Sequence, residues 1–457
     1  MRKEMVGVLV GLLVLALAVQ VSAQQNINFN FAGQGARALG MGGAFIGIAD
    51  DATAISWNPG GLGQLDRAEL STVGKFTMGK SSWDPSTVTQ YGYTTKYPSA
   101  SESHFVLNFA SGAVPIKLGR NNLTFALAFQ QQWDFYAKEE KDDTFRIRNN
   151  APPFNVDTLT GTLIDKTTGG VYTISPGIAI QVIPQLSLGA AFNIWTGSPT
   201  NTFTRDLTSQ PSSYNYQTHA TIDWKDKMSY GGWNITFGAL ANVKPAKFGV
   251  VLRTPLSVSA HDNFTDKRDF QSRYWTSVSY FDVDTTWREP VSGNWKLKIP
   301  LSVGFGFSVN PVRNFTLAAD YELRPLSSAT MEDSAGTDLR TYGDTLDWPN
   351  SNQIRVGMEY LVMLGGGLLP LRAGFFTDPK TLRNVDMNST SKGNQVTGFG
   401  FTFGSGFAVK HFQFDAAYGF NTASQKWTWD TGGSPTPPSS KSKDTRHNIL
   451  ASAIFKF

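Results

Sequence analysis

Five histidines are the first residues to test for catalytic or metal-binding chemistry. They are His104, His219, His261, His411 and His447. None has HExxH or HxxxH spacing, and the 457 residues contain no Cys. Transition-metal sites need grouped imidazole or thiolate donors, and serine-based catalysis needs a nucleophile motif. The acidic run 139–143 also lacks the spacing of a calcium-binding loop, so the sequence predicts no enzyme, no metal site and no cofactor.

A Gly-rich stretch from Gly33 to Gln64 is the other pattern with chemical potential. Gly33-x-Gly35-x-x-Ala38 loosely fits a dinucleotide-binding fingerprint, which requires a buried strand before it and a helix after it. The preceding residues 26–31 are half polar and directly follow an export signal. The stretch is therefore better interpreted as a compact, tightly turning plug. Pro59 fixes one φ angle and disfavours helix at the residue before it, so the chain must turn there.

Residues 1–23 have the pattern of a secretory signal, with two basic residues, an apolar core and the small-residue site Val21-Ser22-Ala23. The apolar run is short of a membrane-spanning helix, so cleavage is favoured over a retained anchor. Without Cys, neither a lipoprotein anchor nor a disulfide framework is available. The net charge of +4, with no basic block, argues against a nucleic-acid partner.

Strand-like segments follow the plug, and apolar and polar residues alternate along them. The clearest run from 297 to 309, from 399 to 407 and from 412 to 420. Alternation over about ten residues is typical of a transmembrane β-strand with one face in lipid and one in the lumen. Aromatic residues make up 13% of the chain, including 32 Phe, while the mean hydropathy is slightly negative. This composition suits strands that are apolar on one face only.

The connections between these segments alternate strictly between short turns and long polar loops, as in outer-membrane barrels. The short turns lie near 117–123, 183–185, 244–246, 310–314, 364–368 and 410–411. The pattern predicts an all-β fold, a transmembrane antiparallel barrel of about 14 strands. The first strand begins and the last strand ends on the periplasmic side. Residues 270–288 extend a wall strand beyond the membrane or form a hairpin within an external loop. The terminal Phe457 resembles the signal that outer-membrane barrels present to the barrel assembly machinery.

The plug residues resemble the N-terminal hatch of the outer-membrane long-chain fatty-acid and hydrophobic-compound transporter family (FadL/TodX-like). The residues that carry the resemblance are Gly40, Gly42, Gly43, Asp50, Asp51, Asn58 and Pro59. Gly60 departs from the Ala that the family usually has. The predicted organisation is a signal peptide at 1–23, a hatch at 24–66 and a barrel at 67–457.

The resemblance implies passive uptake of hydrophobic small molecules, long-chain fatty acids or aromatic hydrocarbons, with lateral release into the membrane. It implies a monomer in the outer membrane of a Gram-negative bacterium, in contact with lipid and lipopolysaccharide. Two alternatives stay open. One is a barrel similar to the PorV-like proteins, which serve protein secretion as adaptors, and the other is an outer-membrane enzyme. An apolar lumen pocket favours transport, whereas a filled lumen favours the adaptor.

Several residues are candidates for ligand contact. Phe29 and Phe31, near the mature N-terminus, are predicted to reach the pocket floor. Arg253, Arg355 and Arg372 are predicted to face the lumen, where they either pair with lumen acids or bind a ligand carboxylate bidentately. Asp50 and Asp51 are expected to anchor the hatch through backbone amides or lumen arginines, or else to be solvated at the periplasmic mouth.

A lateral gate is predicted between the third and fourth strands. In the third strand, Gln131 lies in a row, with Trp133 and Phe135, that is predicted to face lipid, where an amide is unfavourable without a partner. The fourth strand carries Pro176-Gly177 at a comparable height, and such residues mark bulges or bends. The alternative is that a bulge turns Gln131 inward, and that the backbone hydrogen bond that Pro176 cannot donate is missing on the side of the fifth strand.

Overall fold

The computed structural model describes residues 34–84, 87–90, 93–96, 99–119, 121–148, 156–209, 217–275, 280–337, 348–386, 393–428 and 439–457. Phe29, Phe31 and the predicted signal peptide lie outside these residues. The strands are β1 (Glu69–Asp84), β2 (Thr87–Gln90), β3 (Tyr93–Lys96), β4 (Ala100–Leu118), β5 (Asn121–Asp134), β6 (Ala137–Arg148), β7 (Val156–Thr168), β8 (Gly170–Ile183), β9 (Leu186–Gly197), β10 (Thr200–Ser209), β11 (Gln217–Val243), β12 (Ala246–Arg253), β13 (Leu256–Trp275), β14 (Tyr280–Ile299), β15 (Ser302–Val312), β16 (Phe315–Leu323), β17 (Thr330–Asp333), β18 (Gln353–Leu364), β19 (Gly367–Arg383), β20 (Val385–Asp386), β21 (Gln395–Ala408), β22 (Phe412–Thr428) and β23 (Ser439–Lys456).

These strands build a closed antiparallel barrel. β1 pairs with β4 on one side and with the last strand, β23, on the other. Eight strands are continuous, and six are interrupted once, as β5–β6, β7–β8, β9–β10, β12–β13, β14–β15 and β16–β17. The wall therefore has 14 strands, which confirms the predicted fold class. β13 and β14 pair from Leu256↔Ile299 to Trp275↔Tyr280, so residues 270–275 and 280–288 lie in the extensions of wall strands, while 276–279 lie outside the described residues.

The lower half of the wall, near the short turns, turns its large apolar side chains outward. Phe125 and Leu127 are exposed on β5, whereas Ala126 and Ala128 between them are buried inside. This alternation places bulky groups against lipid and leaves a lumen lined by small residues. Among the described residues, no helix is long and apolar enough to cross a membrane.

The inward face changes phase at three strand interruptions, so apolar residues of the upper half face the lumen. The phase shifts at the bulge near Gln131, at 254–255 between β12 and β13, and at 300–301 between β14 and β15. Below the last of these, Phe305 is exposed to lipid, whereas Leu297 above it is fully buried. The expectation that Leu297 shares a lipid-facing row with Phe305 is therefore wrong.

The inverted upper segments form an apolar cluster, here called the upper cluster. Its buried aromatic members are Trp133, Phe135, Trp195 and Tyr230, and the partly buried Trp295 and Trp348 pack against them. Trp133 lies 5.1 Å from Trp195, and Phe135 stacks on Tyr230 at 5.8 Å between ring centroids. Burial of these rings in the lumen narrows the barrel on its long-loop side. Trp133 and Phe135 were expected to face lipid, and the bulge in β5 reverses that assignment.

Residues 34–65, the described part of the hatch, are buried inside the lower barrel. They include two short helices, Ala36–Gly40 and Ala54–Trp57, and the 3₁₀ helix Pro59–Gln64. Backbone packs directly on backbone. A Cβ at Gly42 would overlap the main chain of Phe375 and Val356, and one at Gly374 would overlap Gly42 itself. Only glycines on both sides allow the hatch to lie this close to the wall.

Replacing Gly374 by Val is expected to lift the hatch from the wall. Overpacking of this kind costs about 1–3 kcal/mol. We expect the barrel to keep its heat-modifiable migration on gels while cells become more susceptible to large antibiotics. Gly231→Val is the matched control, because a Cβ there meets no atom within 4 Å. Normal antibiotic exclusion by a well-expressed Gly374→Val protein would contradict the close-packed hatch.

Candidate functional site

The hatch motif is held by its own turn geometry. Gly42 and Gly43 have φ angles of 66° and 76°, a region that residues with a Cβ rarely occupy. The amide of Gly42 donates to Thr402 Oγ1 at 3.0 Å. Asn58 caps the 3₁₀ helix by accepting from the Gly60 amide at 3.1 Å, and its Nδ2 donates to the carbonyls of Ile46 and Ala239. The motif is therefore fixed both by hydrogen bonds within the hatch and by hydrogen bonds to the wall.

Arg37 links the hatch to the barrel. Its guanidinium makes two parallel hydrogen bonds to the Glu359 carboxylate of β18, at 3.1 and 3.0 Å, and also pairs with Asp50. Bidentate pairing of this kind fixes orientation as well as charge. The sequence interpretation placed the anchoring arginines on the wall. Instead the arginine belongs to the hatch and the carboxylate to the wall, and the only sequence signal was a lone charge between two alanines.

Asp50 and Asp51 differ in environment although they are neighbours. Burial alone would raise the pKa of Asp50, but the charges of Arg37 and Lys247 outweigh it and lower that pKa. Burial raises the pKa of Asp51, and Arg37 opposes this only in part. Asp51 Oδ1 accepts hydrogen bonds from the amide and hydroxyl of Thr53, which fixes the turn before the second helix. Asp50 therefore contributes through its charge and Asp51 through hydrogen bonding.

The three lumen arginines predicted as ligand contacts are paired with wall carboxylates. Arg253 Nη1 lies 2.7 Å from Glu322 Oε1, and Arg355 pairs with the same carboxylate. Arg372 bonds Glu359 at 2.6 Å and Asp415 at 2.7 Å. Mutual pairing was one of the two roles foreseen for them, and it compensates charges in a buried lumen.

Wall carboxylates also bind the hatch backbone. Asp320 Oδ2 accepts from the amides of Phe45 and Ile46 at 2.8 and 2.9 Å. Arg355 donates to the Gly43 carbonyl at 3.2 Å, and its guanidinium lies 5.3 Å from the Trp57 ring. The hatch is thus attached to the wall through its main chain as well as through Arg37.

A cavity of about 150 Å³ lies between the hatch and the long-loop end of the barrel. Its apolar lining includes Leu39 and Trp57 of the hatch and Phe135 of the upper cluster. Its polar lining includes Asn108 and Gln131, whose buried Oδ1 and Oε1 atoms have no hydrogen-bond partner among the described residues. Buried acceptors of this kind favour a ligand or water that donates to them.

The third and fourth wall strands pair without a break at the predicted gate. The β5–β8 ladder runs from Leu123↔Ile180 through Leu127↔Pro176 to Gln131↔Tyr172. A bulge follows, and it turns Gln131 inward, where the side chain is buried. Lipid exposure of Gln131 is therefore wrong, and the alternative stated for it holds. Pro176 interrupts the ladder toward β9, where the paired residues pass directly from Ile174↔Ile194 to Gly177↔Ala191.

Instead, it is between β4 and β5 that the backbone ladder of the wall stops. Their ladder extends from Leu118↔Asn121 up to Phe109↔Gln130 and stops there. Above that level, residues 100–108 of β4 pair with β1 only, and the described residues of β5 and β6 make no ladder with them. Both strands bulge at this height, β4 opposite Val73/Gly74 and β5 after Gln131. This unpaired stretch borders the cavity through Asn108 and Gln131.

Side chains bridge the strands beside the unpaired stretch between β4 and β5. Asp134 Oδ2 lies 2.8 Å from both Lys75 Nζ and His104 Nε2, which joins β1, β4 and β5. The His104 ring stacks on Tyr136 at 4.2 Å. Motif spacing could not predict this group of residues, because they come together only when three strands pair in the correct register.

These features define an outer-membrane-type β-barrel of 14 strands whose lumen holds an N-terminal hatch. The chain belongs to the BamG family, whose model matches residues 28–428. No curated protein matches the sequence.

Solved structures show the same fold at low sequence identity. A Pseudomonas aeruginosa FadL homologue is 15% identical, with 92% of this chain and 97% of that chain covered and a TM-score of 0.57. The P. putida toluene transporter TodX is 14% identical, with 94% and 99% covered and a TM-score of 0.55. The monoaromatic hydrocarbon channel CymD is 14% identical, with the same coverage and a TM-score of 0.51. The predicted FadL/TodX-like resemblance is confirmed at the level of the fold.

Single substitutions at the two hatch aspartates are expected to act differently. Asp50→Asn removes the ion pair with Arg37 and should loosen the hatch by on the order of 1 kcal/mol, because Asp50 is partly open to solvent. Asp51→Asn keeps an acceptor for Thr53 and removes a buried charge, so the hatch should stay in place. Protease cleavage of the hatch in the purified barrel measures both, and each variant is the control for the other. Equal cleavage of the two would contradict this division of roles.

Proposed function

We propose that this protein is a passive path for small hydrophobic or amphipathic molecules across the outer membrane, with release sideways into the lipid. The observation that carries this proposal is the unpaired stretch between β4 and β5 beside the lumen cavity. A ligand in the cavity has the hatch on one side and this stretch on another. Lateral release through it avoids the densely packed hatch.

The size of the cavity favours a small ligand. A cavity of about 150 Å³ is comparable to one that holds a single aromatic ring. A long-chain fatty acid is much longer than such a cavity. The mixed lining, with rings on one part and amide acceptors on another, suits a molecule with an apolar body and a hydrogen-bond donor. The fold similarity to a toluene transporter and a monoaromatic hydrocarbon channel is in keeping with this ligand class.

The arginines support the same choice. Arg253, Arg355 and Arg372 already pair with Glu322, Glu359 and Asp415, so a ligand carboxylate would have to displace a buried protein carboxylate. Breaking such a pair costs about 3–5 kcal/mol. We therefore propose an uncharged ligand. We also propose, as the sequence predicted, that the protein has no catalytic activity and is a monomer in the outer membrane.

Cysteines at Asn108 and Gln131 should close the proposed exit when oxidised. The native chain has no Cys, so the pair is the only possible disulfide. Uptake of a radiolabelled monoaromatic compound by cells should stop under oxidising conditions and recover on reduction to the lower level expected of a barrel that lacks these two amide acceptors. The control is a pair at Ser111 and Ala128, which face each other in the intact ladder of the same strands. Full uptake with the Asn108–Gln131 crosslink shown to be formed would rule out this exit.

A second candidate function is a structural role in assembling other proteins. Two observations favour it: the lumen is largely filled by the hatch, and the family name BamG relates to barrel assembly. The cavity is also smaller than the about 300–1,000 Å³ of typical ligand pockets. The PorV-like adaptor considered from the sequence belongs to the same class. Terminal Phe457, half exposed beside Ala68, remains the proposed contact with the barrel assembly machinery.

Gentle purification in detergent followed by mass spectrometry separates the two candidates. Transport predicts a small aromatic or amphipathic molecule bound at up to one per barrel, and its loss in Gln131→Leu. An assembly role predicts stoichiometric partner proteins and no bound small molecule. Recovery of partner proteins that is unchanged by Gln131→Leu, with no bound ligand in either protein, would overturn the transport proposal.

A further inference from the structure

Three buried oxygen acceptors converge on the inner wall above the upper cluster. Asn201 on β10 lies directly opposite Asp226 on β11 in their ladder. Asp262 on β13 lies opposite Met228, two residues from Asp226, so it is the diagonal neighbour of that carboxylate. The three positions share the inward face, which also carries Tyr230 two residues below Met228. All three lie well above the lipid-facing part of β11.

One buried oxygen of each side chain lacks a donor among the described residues. Asn201 Oδ1, Asp226 Oδ1 and Asp262 Oδ1 are buried and lack a hydrogen-bond partner among the described residues. Asn201 is only 7% exposed. Two carboxylates this close repel each other unless a proton or a cation neutralises them.

We propose that Asn201, Asp226 and Asp262 bind a hard divalent cation, with Ca²⁺ as the preferred ion. Two carboxylates and an amide oxygen are the ligands that Ca²⁺ prefers, and Ca²⁺ accepts flexible geometry completed by water. Mg²⁺ demands near-ideal octahedral geometry, which side chains from three separate strands do not readily provide. Among the described residues, no group of three His, Cys, Asp or Glu side chains is placed to hold a metal ion, so the proposed site takes the amide oxygen of Asn201 as its third protein ligand.

Such a cation would join three strands of the barrel mouth. β11 pairs with β10 on one edge and with β13 on the other, so the ion would bridge both ladders. Sequence spacing could not indicate this proposed site, because the three ligands belong to different strands and lie 25 to 61 positions apart. The site is independent of the transport proposal.

Terbium luminescence tests the site directly. Tb³⁺ replaces Ca²⁺, and Trp224 lies two residues from Asp226 on the same face, where it can sensitise the emission. The full-length barrel in detergent should show saturable emission with one ion per barrel, and Ca²⁺ should displace it. Asp226→Asn and Asp262→Asn should each weaken binding at least tenfold, and Asn201→Ala should weaken it severalfold. Asp223→Asn is the control, because Asp223 is exposed on the same strand.

Two results would overturn the proposal. One is emission that persists unchanged in Asp226→Asn and Asp262→Asn. The other is an infrared band of a protonated carboxyl that remains in excess Ca²⁺ and disappears in Asp226→Asn, which would mean that a shared proton alone neutralises the pair. Heat-modifiable migration of each variant shows that the barrel is folded, so loss of emission from a folded variant counts as loss of the site.

Discussion

The compensation of buried charge is the constraint on which the rest of this structure depends. The charged side chains of a hatch that is buried in a lumen must each be paired, because burying an isolated charge has a large free-energy cost. Arg37 of the hatch meets Glu359 of the wall, while Glu322 is surrounded by Arg253, Arg324 and Arg355. The small residues of the hatch follow from the same requirement, because these contacts form only when backbone lies against backbone.

The architecture was predictable from the sequence because it depends on periodicity. Alternation with period two, and the alternation of short and long connections, gave the strand number and placed nearly every wall strand. The arginines 253, 355 and 372 also lie in the lumen as the alternation indicates. Periodicity fails where the backbone gains a residue, because a single bulge moves every later side chain to the opposite face. Gln131, Trp133 and Leu297 were assigned to lipid for this reason.

The site was less predictable because its members come from distant strands. The residues around the unpaired stretch, Lys75, His104 and Asp134, have no spacing in common. Pro176 and Gly177 did mark an irregular ladder, but it lies toward β9, on the other edge of β8. A proline indicates that a hydrogen bond is missing, but sequence alone does not say from which of two neighbouring strands.

The hatch also bears on the order in which the molecule is built. It is the first described segment of the chain, yet its anchors come late. Arg37 and Glu359 are 322 positions apart, and Gly42 and Thr402 are 360 apart. The 3₁₀ helix of the hatch can already meet β11, where Asn58 donates to the Ala239 carbonyl, but the surface that holds Arg37 and Gly42 is complete only once β18 and β21 are in place. Contacts of such long sequence separation form slowly, since the entropy of closing the chain must be overcome first. The leading segment of the polypeptide is thus among the last to reach its native position, and barrel closure must leave it inside.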